Sequence, residues 1–398
     1  MRTYQELFRT PEFTPLFLAS AAQTTAQTVS GLALGILVFG QTGSPLLSSL
    51  AMFGPALAQV VGASTLLSGA DRLPPRAATT GLALLFALGT AAQAAPGLPI
   101  WALFLMLLCL GVLGSLNGGV RYGLLNEVLV HGSYLLGRSL FNLSTGVIQI
   151  CGFAVGGVLV AAFSPRGILL LSAAVYLLAA LISRFGLARR PPRAVGRPSI
   201  ADTWRDNARL WSAPPRRSVY LALWVPNGLI VGVESLYIPY TPRYAGLLFS
   251  VGALGMLIGD IVAARFLPAH LRERLVVPLC LLLAAPYLVF AITPALPIAV
   301  AAVLLATLGY SSSLLLQDRL MALTPDELSG HALGLHTSGM LALQGLGAAL
   351  AGTLAEATTP ATSMAAIAAL SLTVTFALTP GLRARHPESG EIPKTAQG

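Results

Sequence analysis

The sequence predicts an all-α membrane protein in which twelve transmembrane helices form two parallel six-helix repeats. Three observations lead there. Charged residues are only 10% of the 398 and hydrophobic ones 55%, before 40 glycines are counted; an average soluble domain carries about 25% charge. Such a chain cannot cover a globule with polar surface, and it is too apolar to remain disordered. Apolar runs of about 20 residues, enough to cross a hydrocarbon core about 30 Å thick, recur from end to end. Features of the first half also return in the second.

The runs lie at roughly 13–39, 46–69, 77–95, 99–123, 141–163, 167–186, 218–239, 244–265, 275–293, 297–317, 331–354 and 361–380, here spans 1 to 12. Arg2 and Arg9 precede span 1, and Ala19-Ser-Ala21 imitates a cleavage site. The apolar stretch nevertheless continues to Phe39, too long for a secretory signal, so an uncleaved span is expected. Between spans the chain carries turn residues: Gly40 to Pro45, Pro96 to Pro99, Ser164 to Gly167, Thr293 to Pro297, and Thr359-Pro360.

Orientation follows from the basic residues. With the amino terminus inside, only Arg166 and Arg243 of the 24 Lys and Arg fall in outer loops. The positive-inside rule therefore places both termini in the cytoplasm. The formal charge of +9 sorts by membrane side, which argues against a nucleic-acid partner. Usage of 23 arginines and one lysine, with many Ala, Gly and Pro, points to a GC-rich bacterium and hence to the inner (cytoplasmic) membrane. The three cysteines, Cys109, Cys151 and Cys280, sit in apolar runs with no metal-ligand or disulfide spacing.

Between Arg184 and Arg217 lie nine arginines and two aspartates, with Pro191-Pro192 and Pro214-Pro215 as breakers. The expected division is a bundle over 1–186, a linker over 187–217 and a second bundle over 218–398. In the linker, Ser199 to Asp202 has the form of a capping-box variant, followed by Ile200, Trp204 and Trp211 near helical spacing. This reads as a short helix lying aromatic side down in the cytoplasmic interface, or else as a solvated linker.

Internal repetition is the most informative feature. Pro96-Gly-Leu-Pro-Ile100 returns as Pro294-Ala-Leu-Pro-Ile298, and Leu124-Leu-Asn-Glu-Val-Leu129 as Leu315-Leu-Gln-Asp-Arg-Leu320. Gly137, Leu140, Ser144, Thr145, Gly146 and Gly152 match Gly330, Leu333, Thr337, Ser338, Gly339 and Gly345 at one constant offset of about half the chain. Each pair occupies the same place in its half.

A six-plus-six parallel repeat resembles the major facilitator superfamily. Gly69-Ala-Asp-Arg-Leu-Pro-Pro-Arg76 is similar to that family's signature in the loop between spans 2 and 3, with Asp71, Arg72 and Arg76 in its charged positions. It departs from the signature at Leu67, where a glycine is usual, and at Pro74-Pro75. Gly152-Phe-Ala-Val-Gly-Gly157 resembles the exporters' span 5 motif with Phe153 in place of proline, and Phe8 to Phe13 resembles the drug-exporter branch.

The resemblance implies a central cavity lined by spans 1, 4, 7 and 10. Polar residues stack along one face of each: Gln23 and Gln27, Asn117 and Arg121, Asn227 and Glu234, and Ser311 to Ser313 with Gln317. Gln23, Gln27, Asn117, Asn227, Glu234, Ser312 and Gln317 are the substrate-binding candidates; helix–helix hydrogen bonds are the other reading. Glu234 is the one acid well inside a span, where desolvation forces a carboxyl to pair or to carry a proton. It is the candidate for proton coupling or cation binding, or a structural glutamate bonded to a neighbour. Span 1 offers only glutamines where many proton-driven exporters carry an acid. Asp71, Arg72 and Arg76 read as an inner-side latch with Asp260 as counterpart, or as simple membrane anchoring. Gly146, Gly152, Gly156 and Gly157 of span 5, with Gly339 and Gly345 of span 11, permit close helix approach.

These features together predict a secondary transporter, an exporter of small amphipathic or drug-like molecules working by alternating access against a proton gradient. An importer or uniporter of a small metabolite keeps the same fold; a non-transporting membrane sensor or scaffold is the reading of another class. No phosphate-binding loop, nucleophile–base pair or metal cluster is visible, so an enzyme and a bound cofactor are not expected. The partners expected are a small-molecule substrate, the proton and the lipid bilayer, with a monomer as the superfamily's usual state.

Overall fold

The computed structural model describes residues 4–70, 73–129, 134–191, 200–325 and 328–383. Asp71, Arg72 and Ser199 lie outside them. Twelve membrane-length helical rods run through the described residues, one for each expected span. Spans 1 to 6 are Phe13–Thr42, Pro45–Ala70, Pro75–Gln93, Ile100–Val128, Tyr134–Ala162 and Pro165–Gly186. Span 7 is Pro214–Ser235 continued by Tyr237–Tyr240, span 8 Ala245–Arg265, and span 9 Ala269–Ala284 continued by a 3₁₀ stretch, Ala285–Ile292. Span 10 is Leu296–Leu308, a 3₁₀ turn Gly309–Ser311, and Ser312–Ala322; spans 11 and 12 are Ser329–Ala357 and Pro360–Arg383. Eleven rods contain a stretch long and apolar enough to cross a membrane by composition. The exception, span 3, opens with Pro75 and Arg76.

The ends obey the local chemistry. Pro45, Pro75, Pro165, Pro214 and Pro360 each open a helix, where the missing N–H costs nothing and φ is already helical. Gly43, at φ 65°, closes span 1, its N–H returning to Phe39 O at 2.8 Å. Hydroxyls inside the rods bond back to their own helix, as Thr24 to Ser20 O (3.0 Å) and Thr307 to Val303 O (2.8 Å), so few face lipid unsatisfied. Spans 4 and 10 run past their apolar segments to Val128 and Ala322, because a helix need not stop where its hydrophobic run does.

Packing repeats between the halves. Span 1 lies against 5 and 6, span 2 against 4, and span 3 against 6; adding six to every number gives the pairs found in the second half. Between the halves, span 2 packs on 11 and span 5 on 8, pairs that exchange under the same shift. The largest core lies in the second half around Val233, Tyr237, Leu248, Tyr287 and Val303. Side chains such as Trp101, Val158 and Phe185 point outward, as a lipid-facing belt requires.

The linker helix, Ile200–Ser212, packs on spans 7 and 11. Leu210 is fully buried there, and Trp211 stacks on Trp224 at 5.6 Å and on Tyr220 at 6.3 Å. A short helix thus stands in the linker, but Trp211 spends its face on protein because two aromatic rings of span 7 are within reach.

Candidate functional site

The two faces of the bundle differ. The linker helix lies on one, here the linker face; the far face is held shut. Ser235 Oγ donates to Ser49 Oγ at 3.0 Å, both buried, joining spans 7 and 2. Glu356, at the end of span 11, accepts from Ser44 Oγ and from Leu46 N–H (3.3 Å) at the start of span 2. A carboxylate there meets the unsatisfied N–H groups of a helix beginning. Gly157 and Gly246 bring the backbones of spans 5 and 8 into direct contact.

Below this seal a cavity of about 370 Å³ lies between the halves. Its walls come from spans 2, 5, 7, 8, 10 and 11. Phe53, Phe153, Phe249, Met256 and Met340 make it largely apolar. Phe153 and Phe249 stack across the two halves at 4.9 Å. Asn227, Gln149, Gln317 and Gln344 supply amides and Glu234 and Asp260 carboxyl groups; among the described residues no Lys, Arg or His lines it.

Glu234 sits in the last turn of the long helix of span 7, just before the break at Leu236. Tyr310 OH donates to its Oε1 at 3.1 Å. Tyr310 occupies the 3₁₀ turn of span 10, where Gly309 allows spans 9 and 10 to cross closely; a Cβ there would sit 2.6 Å from Leu279 O. Beside it the buried phenols of Tyr237 and Tyr287 share a hydrogen bond of 2.5 Å. Spans 7, 9 and 10 all lose regular α-helix around this tyrosine cluster, whereas spans 1, 3 and 4 are continuous. Among the described residues Glu234 has no ion-pair partner.

Asn227, two turns below Glu234 on the same helix, accepts from Gln344 Nε2 at 3.0 Å. Gln317 also lines the cavity. Gln23 and Asn117 do not: they bond each other at 3.1 Å between spans 1 and 4. Gln27 is exposed and outside the cavity lining. Ser312 is buried, and its neighbour Ser313 takes the cavity position. In this geometry spans 7 and 10 contribute to the cavity walls, while Gln23 of span 1 and Asn117 of span 4 bond each other instead.

Gln149, Gln344, Tyr310 and Tyr237 were not among the expected site residues. The signal available was a polar or phenolic side chain inside an apolar run.

Asp260 lines the cavity, and Arg76 lies apart from it, in a groove with Arg184, Arg189 and Arg190 walled by the first half and the start of the linker. The latch expected between Arg76 and Asp260 is therefore not formed in this geometry. The glycines divide too. Gly152 and Gly156 meet Thr28 and Leu32 of span 1, and Gly339 meets Trp224 of span 7. Gly157 and Gly345 contact the other half through Gly246 and Leu57, while Gly146 has nothing within 4 Å of where a Cβ would sit and makes no close approach. Among the described residues no cluster of His, Cys, Asp or Glu is arranged to hold a metal.

The family model described as Major Facilitator Superfamily matches residues 16–312. No curated protein matches the chain by sequence. Among solved structures, a POT family transporter in complex with 5-aminolevulinic acid aligns with TM-score 0.75 at 12% identity, over 93% of this chain and 96% of the other. A mutant of the nucleoside transporter NupG gives 0.74 at 13%, over 92% and 99%. A bacterial homolog of the human lysosomal transporter Spinster, inward-facing and unoccupied, gives 0.68 at 13%, over 94% and 95%. At these identities the likeness is one of fold.

Proposed function

This chain belongs to the major facilitator superfamily, and from that premise we propose that it exports neutral or cationic amphipathic small molecules in exchange for protons. The observation that carries the reading is the cavity lining: aromatic and Met side chains, four amides, two carboxyl groups and, among the described residues, no basic one. An apolar wall with a few placed polar groups suits a small organic ligand, and uncompensated acids select against anions by charge.

The halves over 1–186 and 218–398 act as the two moving bodies, joined by the linker. With the basic linker face in the cytoplasm, the cavity loads from inside while Ser49–Ser235 and Glu356 hold the outer side shut. Glu234 carries either a proton or the charge that meets a cationic ligand, and exchanging one for the other couples the two fluxes. Tyr310 donates a hydrogen bond to one carboxyl oxygen, and among the described residues none is donated to the other. Asn227, Gln344 and Gln317 orient the ligand; Asp260 adds charge toward the linker end.

The test is accumulation of fluorescent lipophilic cations in efflux-deficient cells expressing the native chain or Glu234→Gln. Native-only exclusion that collapses with an uncoupler is expected. Equal exclusion by both proteins removes Glu234 from coupling, and accumulation above the empty-vector level reverses the direction to import.

A further inference from the structure

A second concavity, of about 580 Å³, lies on the outside of the first half at the linker face, remote from the central cavity. One wall is span 3. Arg76, Ala77, Thr80, Gly81 and Leu84 fall on one face of that helix and descend about 12 Å from the linker face into the apolar zone. The other wall brings Arg184, from the last turn of span 6, together with Arg189 and Arg190 just beyond it.

Charge is not balanced within this groove. Arg190 is already committed: its guanidinium bonds both oxygens of Glu12 at 2.9 Å and lies 3.6 Å from Glu127. Among the described residues no carboxylate lines the groove to meet Arg76, Arg184 and Arg189. Two buried polar atoms, Arg76 Nε and Thr80 Oγ1, have no hydrogen-bond partner among the described residues. Three like charges gathered at a low-dielectric boundary beside two orphaned donors call for an anion with several acceptor oxygens. Beneath them the wall becomes Ala77, Gly81 and Leu84, continuous with the exposed Leu85, Leu88, Leu181 and Phe185. A ligand filling both levels has an anionic head and an acyl tail.

We propose that this groove binds one anionic phospholipid of the cytoplasmic leaflet, its phosphate between Arg76, Arg184 and Arg189 and one acyl chain along span 3. Basic pockets between helices at the cytoplasmic side suit such headgroups. The site does not depend on what the central cavity carries. Lipid seated here ties span 3 to the end of span 6 and so stiffens the first half where the linker leaves it.

The test uses the full chain, purified and delipidated, titrated with dioleoyl phosphatidylglycerol, dioleoyl phosphatidylcholine or inorganic phosphate. Native mass spectrometry reads the bound lipid, and thermal unfolding reads the stabilisation. Phosphatidylglycerol is expected to bind at one saturable site and raise the melting temperature. Arg184→Gln/Arg189→Gln, at exposed positions, is expected to weaken this by about tenfold or more. Arg243→Gln on the far face leaves it unchanged. Equal binding by the double variant, or equal binding of phosphatidylcholine, overturns the proposal. Matching stabilisation by inorganic phosphate alone overturns it too, since the site is then one for a free anion.

Discussion

Glu234 is set among phenols rather than cations: Tyr310 donates to it, and the Tyr237–Tyr287 pair closes the space beside it. A carboxyl so placed can change charge without a side chain having to swing out of an ion pair. Tyr310→Phe keeps the ring and removes that donor. The bond's net contribution to stability is about 1 kcal/mol, so the melting temperature moves by only a few degrees. Transport at fixed pH is expected to fall at least about threefold, with an altered pH profile, because that bond distinguishes the two charge states. An unchanged rate and profile would mean that the phenol is idle. The cavity position of Glu234 was legible from sequence because an acid inside an apolar run is costly toward lipid and turns inward. Gln23 and Asn117 were not, since an amide on a helix reads the same whether it faces a cavity or a neighbouring amide, and here the two satisfy each other. Gln344 escaped because its repeat-related position, Cys151, is not polar, so the comparison of halves gave no cue.

The helices show the same division between what a linear pattern carries and what packing decides. All twelve were visible as apolar runs bounded by turns, because length and hydrophobicity are local properties. The irregular stretches at Leu236, Ala285–Ile292 and Gly309–Ser311 were not, since each depends on how spans 7, 9 and 10 cross. Glycine behaves likewise: the residue is obvious, its purpose is not. A Cβ on Gly228 would lie 2.5 Å from Leu343 O and 2.6 Å from Leu343 C, backbone atoms that cannot rotate away. Gly228→Ala is therefore expected to lose about 1–3 kcal/mol by forcing spans 7 and 11 apart. Gly146→Ala meets nothing within 4 Å and is expected to be neutral or to gain up to about 1 kcal/mol from helix propensity. Thermal unfolding of the two purified variants checks both, and equal melting temperatures would deny that Gly228 marks a close crossing.

At the scale of the whole molecule, the parallel repeat makes span 2 on 11 and span 5 on 8 equivalent seams between two bodies. Bodies joined by two such seams can tilt about them, opening one face as the other closes. The far-face contacts include Ser49 with Ser235, Glu356 with the start of span 2, and Gly157 with Gly246. If exchange requires that face to part, a covalent tie across it must stop transport while leaving the linker side able to bind ligand. The hydroxyls of Ser49 and Ser235 are 3.0 Å apart, so paired substitutions there bring two thiols within disulfide reach. In a background with Cys109, Cys151 and Cys280 replaced by Ala, oxidised Ser49→Cys/Ser235→Cys is expected to lose transport and recover it on reduction. Either single substitution should transport under both conditions, and ligand binding measured from the linker side should survive the cross-link. Full transport by the cross-linked protein would show that the far face does not open, and with it alternating access about these two seams would fall.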